Sequence, residues 1–305
     1  MAETGPDISV VIPAYSGART IADCLTSLKK ATAGRRCQIV VVESSGDLSA
    51  SIIRSEFPDV ELVCAPSRLS AGGARNEGAR RAHGALVFFT DQDCIVPPDW
   101  LERLERHLED PTVGAVGGSV GIQNPESNSG CAMYFLEFLR HFPRRSAAVR
   151  DKNFLVGCNS VYRAEALRVV SFPDRTLGED VIFSHHLGKA GFDVIYDPSI
   201  EVRHFNRIGW KEFFRYNGEM GTSSAIYHVV VRPWWAGLFL RVPVLAFVAP
   251  VVILPKIAIE LARSRWSYLA KFLMLLPMCV AGNLVWANAF RRQVKRMRGA
   301  ADQGT

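Results

Sequence analysis

The stretch Ala85-Leu86-Val87-Phe88-Phe89-Thr90-Asp91-Gln92-Asp93 runs from a short apolar segment straight into two carboxylates one residue apart. Its continuous apolar run, rather than an alternating one, reads as a strand covered on both faces. Toward the N-terminus the same pattern recurs at residues 8–12, closed by Pro13, at residues 38–42 and at residues 60–63. Between these runs, Ile21, Leu25 and Leu28 recur at helical spacing, and residues 49–57 and 71–83 read as two further helices. The βαβαβαβ alternation predicts a mostly parallel sheet with right-handed crossovers, a Rossmann-like α/β fold. In such sheets ligands sit beyond the carboxyl ends of the strands. Three polar clusters fall at those ends: Pro13-Ala14-Tyr15-Ser16, Glu43-Ser44-Ser45 and Thr90-Asp91-Gln92-Asp93.

Toward the C-terminus, Pro97-Pro98-Asp99 opens a helix whose Leu101, Leu104 and Leu108 share one face. Residues 113–120 are glycine-rich and strand-like, and a helix is expected around residues 133–141. A strand is expected from Phe154, then a turn at Gly157-Cys158-Asn159, a helix from Ala164, and a further helix opened by Gly178-Glu179-Asp180. Residues 192–196 and 200–204 read as two closing strands. No repeat and no low-complexity tract interrupts the chain.

Of the 305 residues, 48% are hydrophobic and 22% charged, which excludes a disordered or collagen-like chain. The net charge of +6 is divided unevenly. Residues 1–232 hold 26 Lys and Arg against 28 Asp and Glu, whereas residues 233–305 hold 10 against 2. The basic excess therefore belongs to the C-terminal quarter, which argues against nucleic acid as a partner of the main domain. The seven cysteines are scattered without a CxxC pair, so neither a zinc knuckle nor a disulfide framework is indicated. Residues 1–7 carry no apolar segment of the kind a secretory signal needs, and the main domain is expected in the cytoplasm.

The last quarter changes character. Residues 234–254 carry one charge, Arg241, with Pro243 and Pro250 inside the run; residues 266–290 carry only Lys271. As a helix the second run would span about 37 Å, enough for a hydrocarbon core of about 30 Å. Trp234, Trp235, Trp266, Tyr268 and Trp286 sit toward the run ends, where aromatic belts form, and the tail from Arg291 to Arg298 is basic. The division expected is a catalytic domain over residues 1–230 and a membrane-associated region over 231–305. A hairpin would return both ends to the cytoplasm, but Lys256, Arg263 and Arg265 between the runs oppose it. The prolines equally fit a re-entrant or interfacial first run, and two buried helices of a soluble domain are the other reading.

Two carboxylates at a strand end, Asp91 and Asp93, suit a hard divalent cation that shares its shell with substrate phosphates. Such an ion would neutralise charge developing on a departing diphosphate. With residues 8–15, Asp91-Gln92-Asp93 followed by Pro97-Pro98-Asp99-Trp100-Leu101, and Gly178-Glu179-Asp180 in order, residues 8–220 resemble the family 2 glycosyltransferases. The resemblance implies the GT-A fold, C-terminal apolar helices aside, and transfer of a sugar from a nucleotide-diphosphate donor with inversion, assisted by Mg²⁺ or Mn²⁺.

The resemblance also implies roles. Pro13 and Tyr15 match the first nucleotide-contacting loop, and Glu43 stands where the family has an aspartate reading the nucleobase. Asp91 matches the residue near ribose and metal, and Asp93 the metal ligand proper. Gly73, Arg75 and Asn76 lie in the glycine-rich segment, residues 70–76, that packs near the diphosphate; glycines and a helix N-terminus both favour an anion there. Asp180 matches the general base and Glu179 its support; adjacent residues point about 100° apart on a helix, so one of them faces the reacting centre. Asn159 and Arg215 fall on the acceptor side, and His204 is either a further metal ligand or a structural residue at a strand end. Ser16 and Glu43 depart from the family pattern and leave the nucleobase open. A membrane-presented acceptor, a lipid or lipid-linked glycan, follows from the apolar C-terminus. The competing readings are a nucleotidyltransferase and a membrane-anchored nucleotide-sugar-binding subunit without turnover.

Overall fold

The computed structural model describes residues 6–150, 155–231 and 236–302, and Trp234, Trp235 and the expected strand start at Phe154 lie outside them. The chain folds as two compact units, Met1–Gln123 with Pro143–Phe205, and Asn124–Phe142 with Asn206–Thr305. Residues 206–230, grouped with the N-terminal region by sequence, thus belong to the second unit.

The first unit is built on strands β1 (Ile8–Ala14), β2 (Cys37–Glu43), β3 (Glu61–Cys64), β4 (Leu86–Thr90), β5 (Cys94–Ile95), β6 (Val113–Ile122), β7 (Val149–Arg150), β8 (Asn159–Arg163) and β9 (Asp193–His204). They form one sheet in the order β3-β2-β1-β4-β8-β6-β9-β5, with β7 also on β9. Strands β3, β2, β1 and β4 are parallel, as the βαβ alternation requires, and are joined by helices α1 (Ile21–Ala31), α2 (Ser49–Glu56) and α3 (Ala71–Arg81). Beyond β4 the sheet is mixed. Strand β8 runs antiparallel to both neighbours, because the chain re-enters the sheet through a turn at the carboxyl end of β4 rather than through a crossover helix. Helices α4 (Trp100–Glu105), α6 (Ala164–Val169) and α7 (Glu179–Lys189) complete this unit.

The two closing strands expected over residues 192–196 and 200–204 are one strand, β9. Its pairing with β6 steps from Gly118↔Asp197 to Ser119↔Glu201, so the intervening residues, which include Pro198, bulge without ending the strand. One face of the sheet is closed by Val11, Val40, Val87 and Phe89 packed with Phe172, Phe183 and Leu187. The continuous apolar runs are explained by this cover: residues 10–12 and 40–42 are buried on both faces.

The second unit is helical: α5 (Asn128–Glu137), α8 (Trp210–Val231), α9 (Ala236–Arg241), α10 (Ala249–Ser264), α11 (Trp266–Met274) and α12 (Leu276–Asp302). Helix α8 lies against α12 at Gly221, where a Cβ would strike the Trp286 backbone, and Ser224 accepts the Trp286 indole N–H at 3.2 Å. The first apolar run is displaced from its expected position: among the described residues, the single unbroken segment long and apolar enough to cross a membrane is Pro243–Ser264. The second, expected as one helix over residues 266–290, breaks at Leu275, and its halves are bent by 74°. Pro277 supplies the cause, since it offers no N–H to Leu273 and its ring crowds that carbonyl.

Candidate active site

Four pieces of the first unit meet at the carboxyl end of β4. Register fixes two of them: Thr90 is the partner of Asn159, so the Asp91-Gln92-Asp93 loop leaves the sheet beside the Gly157-Cys158 turn that enters β8. The third is α3, and the fourth is the start of α7.

Arg75, on α3, lies at the centre. Only 3% of it is exposed; its Nη2 donates to Asp91 Oδ1 at 2.7 Å, and its Nη1 donates to Glu179 Oε1. The planar guanidinium suits this fork, which an ammonium could not span. Gly157 makes the room: a Cβ there would lie 2.6 Å from Nη2. Burial lowers the proton affinity of Arg75, but Asp91, Glu179 and Asp180 together outweigh it. Arg75 thus commits two of its five N–H donors to neighbouring carboxylates, and its Nε has no hydrogen-bond partner among the described residues.

Gly178 begins α7 with a left-handed backbone, φ 75°, and this sets the direction in which the two acids leave the turn. Glu179 turns inward. Its Oε2 is buried with no hydrogen-bond partner among the described residues, and burial together with adjacent Asp180 pushes its pKa up to about 8 against the pull of Arg75. Asp180 stays partly exposed. It accepts from the Gly157 N–H at 3.1 Å and the Val181 N–H at 2.8 Å, and burial raises its pKa against Arg75 and these two donors.

Asp93 and His204 are brought together by the short antiparallel ladder of β5 with the end of β9, where Cys94 is the partner of His204. Asp93 Oδ1 lies 3.3 Å from His204 Nε2, and the ligand atoms of Asp93, Cys94 and His204 fall within 4.8 Å of one another. A carboxylate beside an imidazole is a donor set that fits a divalent transition ion such as Mn²⁺ better than Mg²⁺, and Cys94 adds a soft atom no spacing rule had flagged.

The remaining expected residues divide. Tyr15 is 43% exposed beside the Asp91-Gln92-Asp93 loop, and the Arg68 guanidinium lies 4.4 Å from its ring centroid. Pro13 is the penultimate residue of β1, leading into Tyr15. Glu43 is buried and folds back on its own turn, accepting from the N–H groups of Ser45 and Gly46 and from the Ser45 hydroxyl. Asn76 bridges the backbone N–H and carbonyl of Phe172 at 2.9 and 2.8 Å, a structural clasp. Gly73 N–H is taken by the Ser70 hydroxyl and Gly72 N–H by the Arg175 carbonyl, so the start of α3 is closed by protein groups and not open to an anion as expected. Asn159 is fully buried: it accepts from the Trp100 indole and donates to the Ser119 and Ile200 carbonyls, which ties the start of β8 to β6 and β9. Arg215 lies in the second unit, tied to Glu212 and Glu219 on its own helix.

A mixed sheet of this order, with carboxylates gathered where β4 ends, defines the GT-A class of sugar-transferring proteins. The mannosyltransferase PcManGT of Pyrobaculum calidifontis, solved with GDP-mannose and Mn²⁺, has the same fold: TM-score 0.61 at 21% identity, over 96% of this chain and 88% of that one. The sequence profile of glycosyl transferase family 2 matches residues 9–170, more than half the chain, and the protein belongs to that family. It is a glycosyltransferase. The glycosyltransferase AglE of Haloferax volcanii is 27% identical over 224 residues, 70% of this chain and 73% of the relative. An N-acetylglucosaminyltransferase of Mesorhizobium japonicum is 29% identical over 216 residues, 64% of this chain and half of the relative's length. The matched region ends before Glu179, Asp180 and His204, so half of the site lies outside it.

Proposed function

We propose that the protein transfers a sugar from a nucleoside diphosphate to a hydroxyl or phosphate of a membrane-presented acceptor, with inversion and with a divalent ion as cofactor. The observation that carries this reading is the Arg75 fork, which ties Asp91 on the donor side to Glu179 on the acceptor side. Asp93 and His204 would hold the ion, Mn²⁺ in preference to Mg²⁺; when bound, it supplies charge neutralisation to the leaving diphosphate. Tyr15 offers a face to the nucleoside, with Pro13 setting its backbone. Glu43 serves by shaping the neighbouring turn.

Asp180 takes the acceptor proton. It is the more accessible of the two acids, and its raised pKa makes it a better base than an ordinary carboxylate. Glu179 is its support, held inward against Arg75. The membrane reading rests on Pro243–Ser264 and on exposed Val251 and Val252, 72% and 65% accessible, within a region carrying 10 basic residues against 2 acidic. The catalytic unit then works at the cytoplasmic face of the cell membrane, on a lipid or lipid-linked glycan.

The test is nucleoside diphosphate release by detergent-purified protein with Mn²⁺, across UDP-, GDP- and dTDP-sugars, with membrane lipid extract as acceptor. Metal-dependent release that falls by about a hundredfold or more in Asp180→Asn, with donor binding retained, is the expected result. Donor binding without release in every extract would favour a non-catalytic binding subunit. Release unaffected by chelation would remove the ion from the reading.

A further inference from the structure

Gln92, between the two aspartates, does not face the carboxylate cluster. Its side-chain amide crosses to the loop after β1 and grips one residue twice: Oε1 accepts from the Tyr15 backbone N–H at 2.9 Å, and Nε2 donates to the Tyr15 carbonyl at 2.7 Å. The pair of bonds copies a step of a β-ladder with a side chain in place of a strand. Both partners on the Tyr15 side are main-chain groups, so the grip fixes where the Tyr15 backbone stands whatever its ring does.

The gripped loop needs holding. Ser16 has φ 56° and is the one non-glycine residue with a positive φ among the described residues. A serine in that region is strained, because its Cβ crowds the following carbonyl oxygen. Gly17 follows, and a Cβ on it would occupy the space of Gln92 Oε1 and Cδ. Gln92 and Gly17 therefore interlock: the amide fits only because residue 17 lacks a side chain.

We infer that Gln92 is a positioning residue that couples the metal-holding loop to the donor-contacting loop, so that donor affinity depends on the Gln92–Tyr15 grip and on the absence of a side chain at Gly17. This rests on the reading above that Tyr15 touches the nucleoside. Asp91 and Asp93 flank Gln92, and Tyr15 presents an exposed ring, so one side chain sets the spacing between the place for the diphosphate and the place for the base. With the grip released, the left-handed turn at Ser16 relaxes and Tyr15 must be ordered by the donor itself. That ordering is a charge on binding, not on the chemical step.

The experiment titrates nucleoside diphosphate in Mn²⁺ by calorimetry against the full chain, with donor KM and kcat measured in parallel. Gln92→Met, which keeps length and loses both hydrogen bonds, is expected to weaken binding and raise donor KM about tenfold, most of the loss in kcat/KM falling in KM. Gly17→Ala is expected to do the same alone, and to add less than about twofold in a Gln92→Ala background. Amide hydrogen exchange over residues 15–17 serves as the check in folded protein, rising in Gln92→Met while β1 stays protected. Faster exchange with unchanged binding would overturn the inference, since the grip would then be structural only. Equal effects of Gly17→Ala in both backgrounds would overturn it as well. Failure of wild-type protein to bind any nucleoside diphosphate would instead bring down the donor reading, and the inference with it.

Discussion

At the scale of single residues, the site is a problem of charge kept out of water. Asp91 and Glu179 both accept from one buried guanidinium, and Asp180 lies in its field. Removing one partner of a buried ionic cluster leaves the others uncompensated, which typically costs about 3–5 kcal/mol. Arg75→Met is expected to destabilise the fold by that amount, and Arg75→Lys to recover only part of it, because an ammonium cannot reach both carboxylates as a fork. Urea unfolding of the two variants measures this; equal loss in both would show the fork geometry to be unimportant. The individual carboxylates were legible in the sequence because each follows a strand or opens a helix. The partners of Arg75 were not, since Asp91 and Glu179 lie 16 and 104 residues away from it. Gln92 escaped for a similar reason: in the pattern D-x-D its position counts as a spacer, and its grip is on backbone rather than on any recognisable side chain.

At the scale of elements, apolar periodicity located the first four strands and three helices to within about two residues, because β1, β2 and β4 are largely buried on both faces and each helix on one. The same periodicity missed β8, which follows the turn at Gly157-Cys158 and reads Asn-Ser-Val-Tyr-Arg, too polar for an apolar run and too short to show its direction. Nor could it distinguish one bulged strand from two around Pro198. The break in the C-terminal helix was readable in principle from Pro277, but a hydropathy run is blind to a missing N–H. At the start of α7, Gly178 holds a left-handed turn that aims the two acids apart. Gly178→Ala is expected to cost about 1–2 kcal/mol from backbone strain. It should also lower kcat more than donor KM, because Asp180 shifts while Tyr15 does not; steady-state kinetics with one donor decides it.

At the scale of the whole molecule, the buried acids tie stability to pH. Between the ordinary value of 4.5 and about 8, folded protein holds a proton on Glu179 that the unfolded chain has released, so stability falls as pH rises through this window. Glu179→Gln is expected to flatten that slope while leaving the acid limb below pH 4.5 in place. Thermal unfolding across the window reads it, and an unchanged slope would assign the effect elsewhere.

The order in which the chain supplies its parts has a consequence for synthesis. Arg75 and Asp91 leave the ribosome long before Glu179, and Asp93 long before His204, its neighbour across β5 and β9. A nascent chain that has emerged only to residue 170 can form the parallel half of the sheet, yet it carries a guanidinium matched to one carboxylate instead of a cluster of three. Closure of the site is therefore a late, long-range event, of the kind that folds slowly. Until it occurs the growing polypeptide lacks the two acids that open α7 and the imidazole that lies beside Asp93, so the site is assembled only when most of the chain has been made.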